Sequence, residues 1–157
     1  MTRIRLAEEQ DLEFIQKTYR KLDEAMMKLY SEIINIDMEE DDNEDLHTVE
    51  YWMQLINRES GYILIGTDGE VPVGVAVVEK VDEQECHLED LYVNENYRNK
   101  GMGKQLTYEA KRMAIELGFS NMSLNVLPNN GNARELYKDF GFVETRIRMN
   151  CVLERCN

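Results

Sequence analysis

The run Asp90-Leu91-Tyr92-Val93 is followed, after four residues, by Arg98-Asn99-Lys100-Gly101-Met102-Gly103-Lys104 and then by a long amphipathic stretch. This order constrains the fold more than any other part of the chain. A strand that turns through two glycines into a helix presents backbone N–H groups, with no Cβ in the way, at the positive end of a helix dipole. Its natural occupant is a phosphate, and Arg98, Lys100 and Lys104 add cationic arms. Two common phosphate loops fail by position. A Walker loop ending in Gly103-Lys104 would need glycine at Arg98 and Ser or Thr at Gln105, and a dinucleotide fingerprint begun at Gly101 would need a small residue at Leu106.

The charge distribution agrees with an anion at this place. The formal net charge is −13, with 31 acidic against 18 basic side chains, which argues against nucleic acid or a membrane surface as partner. Between Arg98 and Arg112, however, five basic side chains stand against one acidic, Glu109. Lys111 and Arg112, about two turns into the helix, read equally well as a solvated face. The opposite island is residues 37–45, seven carboxylates in nine residues. It reads first as a solvated loop and second as a collar for a cationic substrate.

The chain is expected to be one domain, residues 1–157, since 43% hydrophobic content suffices for a core at this length. No apolar run reaches a membrane span and the N-terminus lacks a signal-peptide core, so the expected location is the cytoplasm. Cys86, Cys151 and Cys156 form no Cys-x-x-Cys pair, and His47 and His87 stand apart, so no metal site is expected. Cys86 and His87 would point to opposite faces of a strand, which disfavours a cysteine nucleophile.

Periodicity predicts a strand over residues 2–7, a helix from Glu9 to about Leu29, and a second helix over residues 48–58 with Val49, Trp52, Met53 and Ile56 inward. Residues 62–66 and 73–79 form a hairpin about Thr67-Asp68-Gly69-Glu70, and residues 86–93 form the next strand. Leu106, Ala110, Met113 and Leu117 give the helix behind the loop its buried face, closed by Gly118. Residues 122–127 read as a strand stopped by Pro128, residues 132–140 as a helix closed by Gly141, and residues 142–153 as one or two strands. This is a mixed α/β order.

Arg98-x-x-Gly101-x-Gly103 after a Leu-Tyr-Val strand resembles the pyrophosphate loop of the GNAT superfamily of N-acetyltransferases. The stretch from Asn125 to Phe142 (NVLPNNGNARELYKDFGF) is similar to the family's Asn-x-x-Ala-x-x-x-Tyr-x-x-x-Gly-Phe block, and Ile4-Arg5-Leu6-Ala7 with Asp11-Leu12 is similar to its first strand and turn. The resemblance covers nearly the whole chain and is thinnest between Glu24 and Glu59. It implies a mixed, mostly antiparallel central sheet of six or seven strands flanked by about four helices. It also implies acetyl-coenzyme A as acyl donor, with no metal. Leu91, Tyr92 and Val93 would pair with the pantetheine arm, provided the neighbouring strand near Val126 splays away. Arg98, Asn99, Lys100, Gly101, Met102, Gly103 and Lys104 would hold the diphosphate, and Asn125, Asn132 and Tyr137 would make further cofactor contacts.

Moving an acetyl group from a thioester to an amine requires a neutral nucleophile. For a lysine-like amine of pKa ~10.4, deprotonation at pH 7 costs ~4–5 kcal/mol. Strand alternation puts Glu89, Leu91 and Val93 on one face and Asp90 and Tyr92 on the other, so Glu89 is the leading base; His87, on the same face, is an alternative. The plain reading of Glu89 is a strand-end carboxylate bonded to its neighbours. Tyr137 sits at the family's proton-donor position, while the stripe Ala133, Leu136, Tyr137, Phe140 would by itself make it a core residue. Asn132 with Glu135 also matches a capping box. The expected acceptor is a primary amine, either a small cationic amine or an exposed protein amine, and the exposed end of the sheet could support a homodimer. Two other functions stay open: a non-catalytic acyl-coenzyme A sensor and a nucleotide-binding protein.

Overall fold

Near-continuous apolar runs in the middle of the chain, Tyr62-Ile63-Leu64-Ile65 and Val75-Ala76-Val77-Val78, call for strands covered on both faces. A computed structural model, which describes residues 1–36 and 47–153, shows how the cover is built. The elements are β1 (Thr2–Leu6), α1 (Leu12–Ile34), α2 (Val49–Ile56), β2 (Gly61–Asp68), β3 (Val71–Lys80), β4 (Glu85–Val93), α3 (Met102–Glu116), β5 (Asn121–Ser123) and α4 (Gly131–Asp139). The strands lie in the order β1-β2-β3-β4-β5. Pairing is antiparallel throughout, except between β4 and β5, which run parallel.

One face of the sheet packs Tyr62, Leu64, Ala76, Val78, Cys86 and Leu88 against Met102, Leu106, Ala110 and Ala114 of α3. The other packs Ile63, Ile65, Val75, Val77 and Tyr92 against Ile15 of α1 and Trp52 and Leu55 of α2. A hydrogen bond of 2.6 Å from the buried Tyr62 hydroxyl to the Ala110 carbonyl ties sheet to helix. Gly66 and Gly74, paired across β2 and β3, let α3 approach closely. A Cβ at Gly66 would stand 2.4 Å from the Met102 sulfur, and one at Gly74 would stand 3.1 Å from Leu106. That closeness fixes the start of α3, and with it the glycine loop.

Several expectations need correction. Among the described residues the sheet has five strands, not six or seven, and four α-helices flank it. Residues 142–153 alternate like a strand but join no ladder; Val143, Ile147 and Met149 are 78%, 87% and 88% exposed. Alternation supplies a face, and a strand also needs a neighbour with free peptide groups. The expected strand over residues 122–127 is laddered only at Asn121–Ser123, because the chain leaves β4 there. In α2 the inward residues are Trp52 and Leu55, while Val49 is 53% exposed. Leu117 is also exposed, and Thr107 and Ala114 complete the buried face of α3. The acidic run at residues 37–45 lies outside the described residues, as does Cys156. Among the described residues no helix is long and apolar enough to cross a membrane.

Candidate active site

The loop after β4 winds through a short 3-10 turn, Glu95–Tyr97, and two left-handed residues, Asn99 at φ 60° and Gly101 at φ 88°, before α3 begins. Gly101 is required by that backbone angle, which costs other residues about 1–2 kcal/mol. Among the described residues no side chain caps α3, so the N–H groups of its first turn are left to an external acceptor. A Cβ on Gly101 would meet nothing within 4 Å, and one on Gly103 would find Leu136 at 3.7 Å. The loop therefore has open space over it.

Arg98 is not a free arm. Its Nε donates to the Val93 carbonyl at 2.8 Å and its guanidinium lies 5.4 Å from the centre of the Tyr92 ring. Lys100 lies over Tyr97. Lys104 is exposed and lines a cavity of about 670 Å³ between β1 and α3, away from the β4 edge. The cations further along α3 are structural. Lys111 donates to the Phe140 carbonyl, and Arg112 pairs with Glu109 and Glu116.

Beside the loop the sheet opens. Ladder pairs between β4 and β5 run from Glu85–Asn121 to His87–Ser123 and stop, while β4 continues to Val93. The segment carrying Leu91, Tyr92 and Val93 thus presents an edge without a β5 partner, the splay that an inserted amide-bearing arm would need.

The faces of β4 differ from simple alternation. Asp90 pairs with Val77 and Leu88 pairs with the next residue, Val78, so Glu89 is the extra residue of a β-bulge. Before it, Cys86 and Leu88 face α3; after it, Leu91 and Val93 do, and Tyr92 faces α1 and α2. Glu89 therefore does not share a face with Leu91 and Val93. It lies with His87, 3.6 Å away, and with Asp90, on the side of α1 and α2.

Asp90 was not expected to matter. Its Oδ2 is buried without a hydrogen-bond partner among the described residues. Burial first, then the charges of Glu89, Glu79 and Asp23, push its carboxyl up to about 7. Near it stands Tyr19, whose hydroxyl meets His47 Nε2 at 3.0 Å, and beside Tyr19 stands Tyr51, which donates to Glu79. Burial chiefly raises both phenols, and the Asp90 and Glu89 charges add to the effect at Tyr19. His47 stacks on Tyr51 and meets Trp52 edge-on. A one-residue bulge leaves no glycine or proline to announce it, so composition offered no signal for this cluster.

Tyr137, on α4, packs against the α3-side core and meets Phe142 edge-on at 5.7 Å. Burial, then the Asp90 charge, pushes its hydroxyl up to about 12. It is a protonated phenol at neutral pH. The cap of α4 is Asn130, whose Oδ1 accepts from Ala133, so the expected capping box at Asn132 does not form. Asn132 and Asn125 are both exposed. Asn129 bonds the Leu29 carbonyl and joins the loop before α4 to the end of α1. Cys86 is fully buried and its thiol is raised to about 11 by burial, which leaves it inert. Among the described residues no group of three His, Cys, Asp or Glu is placed to hold a metal.

An uncapped helix start behind a glycine loop, next to a parted pair of parallel strands, is the architecture of a known class of fold. Residues 20–142 match the family model described as Acetyltransferase (GNAT) family, and the chain belongs to that family. It is 37% identical over 68 residues to the uncharacterized N-acetyltransferase YycN of Bacillus subtilis, covering 43% of this chain and 44% of YycN. It is 38% identical over 55 residues to thialysine N-epsilon-acetyltransferase of Bos taurus, covering 35% of this chain and 32% of that protein. The matched stretch thus spans less than half the length of these curated relatives. Among solved structures, the tetramutant of BH1408 from Bacillus halodurans superposes with a TM-score of 0.78 at 19% identity, covering 96% of this chain and 99% of that one. The aminoglycoside acetyltransferase AAC(6')-Iy, solved with a bisubstrate analogue, superposes with a TM-score of 0.72 at 19% identity, covering 99% of each chain. At these identities the superpositions establish the fold.

Proposed function

We propose that residues 1–157 form one acetyl-coenzyme A dependent N-acetyltransferase domain acting on a primary amine, with a cationic amine as the favoured acceptor. The observation that carries this reading is the end of the β4–β5 ladder at His87–Ser123, directly before a glycine loop and an uncapped helix start. The residues present fit the donor: the first turn of α3 suits a diphosphate, and the open edge from Leu91 to Val93 suits an arm bearing amides. When bound, acetyl-coenzyme A supplies the thioester whose acetyl group is transferred.

The chain's own residues divide the remaining work. Asn99, Lys100, Gly101, Met102, Gly103 and the Lys104 backbone hold the diphosphate, Arg98 braces the loop from the Val93 carbonyl, and Asn125 and Asn132 make further contacts with the coenzyme. The N–H near Val93 aims at the carbonyl oxygen. Tyr137 Oη holds the proton that the sulfur needs, and Glu89 draws the acceptor's ammonium into the cleft. The cluster of Glu79, Glu89 and Asp90 with Tyr19 and Tyr51 favours a cationic acceptor. The names of two relatives, thialysine N-epsilon-acetyltransferase of Bos taurus and L-ornithine N5-acetyltransferase NATA1 of Arabidopsis thaliana, agree with that class.

The test is incubation with labelled acetyl-coenzyme A and a panel of diamines, polyamines, aminoglycosides and lysine peptides. Transfer to at least one cationic amine is expected, with about 10²-fold slower turnover in Tyr137→Phe at nearly unchanged coenzyme A affinity. Transfer to none would refute the reading.

A further inference from the structure

We propose that Asp90, and not Glu89, takes the proton that the acceptor ammonium must lose before attack, with Glu89 serving to hold the cation. The assignment rests on the acetyl-transfer reading above and concerns the same cleft. Three features of the structure support it.

The first is direction. The bulge at Glu89 turns Asp90 to the side of α1 and α2, while Leu91 and Val93, next in line, keep the unpartnered edge. Asp90 therefore stands at the mouth of the notch. The second is its unmet bonding. Asp90 Oδ2 is buried and has no partner among the described residues, although a buried carboxylate oxygen is ordinarily satisfied. Such an orphan suits an oxygen whose partner is the substrate. The third, which adds charge to that burial, is electrostatic setting. The groups that act on Asp90 are Glu89 on its own strand, Glu79 on β3 and Asp23 on α1, all carboxylates. Tyr19 on α1 and Tyr137 on α4 feel its charge in turn. A half-buried carboxyl among like charges holds a proton more tightly than an open one, and the affinity of Asp90 for a proton is matched to neutral pH. Glu89, more open and beside His87, suits attraction of a cation from solvent.

In the transfer step, Asp90 Oδ2 accepts one proton from the ammonium, which frees the nitrogen lone pair. The N–C bond forms as the thioester C–S bond breaks with its electron pair on sulfur. Tyr137 Oη gives sulfur a proton and recovers the second proton from the amide nitrogen. Asp90 then returns its proton to water, the single proton released per turnover.

Two readouts test this. In the ligand-free protein, carbon-13 NMR of labelled aspartate carboxyls should show one group titrating near neutrality. That group should be absent in Asp90→Asn and should titrate at lower pH in Glu89→Gln, since one repelling charge is gone. In turnover, the acidic limb of the kcat/KM profile should follow the same pattern. Asp90→Asn should lose the limb and about 10²-fold in kcat, while Glu89→Gln should keep the limb at lower pH and raise KM. Unchanged coenzyme A affinity and circular dichroism in Asp90→Asn would show that the variant folds. A limb that survives in Asp90→Asn and vanishes in Glu89→Gln would overturn the assignment while leaving acetyl transfer intact. Wild-type protein inert toward every amine would overturn both.

Discussion

Glu89 and Asp90 are neighbours on β4 that stand on the same side of the sheet, because Asp90 pairs with Val77 while Leu88 pairs with Val78. A regular strand would have sent them apart. The bulge instead concentrates negative charge, and Asp90, the more enclosed of the two, has its carboxyl raised.

Stability should record that burden. The Asp90 carboxyl is raised to about 7, from 3.8, by burial and then by Glu89, Glu79 and Asp23. Between those values the folded chain holds a proton that the unfolded chain has released. Folding stability from this group therefore falls as pH rises through the window. Asp90→Asn removes the burden, so it should gain on the wild type from about pH 4 upward. By pH 8 it should lead by a few kcal/mol, since each tenfold difference in proton affinity is worth about 1.4 kcal/mol. Urea unfolding at pH 4.5 and 8 measures the gap; a gap independent of pH would contradict the assignment.

At the other end of the chain, Arg5 clasps Asp11 with two hydrogen bonds, of 2.6 and 2.9 Å, and the Glu8 N–H adds a third at 2.8 Å. Asp11 is 3% exposed. Burial alone would raise its carboxyl, but the Arg5 hydrogen bonds, the Glu8 N–H and the Arg5 charge outweigh it and hold the carboxyl below its ordinary value. The stability so gained is present at neutral pH and lost as pH falls through the lowered value. Arg5→Met should cost about 3–5 kcal/mol at pH 7 by leaving a buried carboxylate without its ionic partner. The loss should shrink in acid, and Arg5→Met/Asp11→Leu should recover most of it, as read by chemical denaturation of the three proteins.

Two glycines in the loop should fail differently. Gly101 sits at φ 88°, so Gly101→Ala should cost about 1–2 kcal/mol of stability and also weaken coenzyme A binding. A Cβ on Gly103 finds only Leu136, at 3.7 Å, and the position is helical. Gly103→Ala should leave the fold as stable or slightly more so, yet lose at least about tenfold in coenzyme A affinity where the diphosphate would lie. Calorimetry of both variants with thermal melts separates the two roles. Equal affinity in Gly103→Ala would place the diphosphate elsewhere.

The parts of the fold that the sequence reveals are those governed by local rules. The loop from Arg98 to Lys104, the buried face of α3 about Leu106 and Ala110, and the hairpin at Asp68-Gly69 each carry their own signal in period, charge or turn residue. What escaped depends on partners distant in sequence. Val143, Ile147 and Met149 have the spacing of a strand, but a ladder is a property of two segments. The extra residue at Glu89 is invisible because either neighbour could occupy either face until β3 fixes the register. Val49 was expected inward on α2, yet the helix presents Trp52 and Leu55 to β2, a phase set by the sheet it meets. Asn130 displaced Asn132 as the cap of α4 for a simpler reason: three asparagines stand close together and any could begin the helix.

The early end of the β4–β5 ladder also bears on solubility. Peptide groups with unfulfilled bonding are a hazard on the outer rim of a sheet, where a neighbouring molecule can zip onto them. Here they begin beyond the point where β5 leaves β4, so the gap is closed at the His87–Ser123 end and open past it. The free stretch about Leu91 to Val93 is short, and a short edge gives a second copy little backbone to pair with while still offering enough for a small amide-bearing guest.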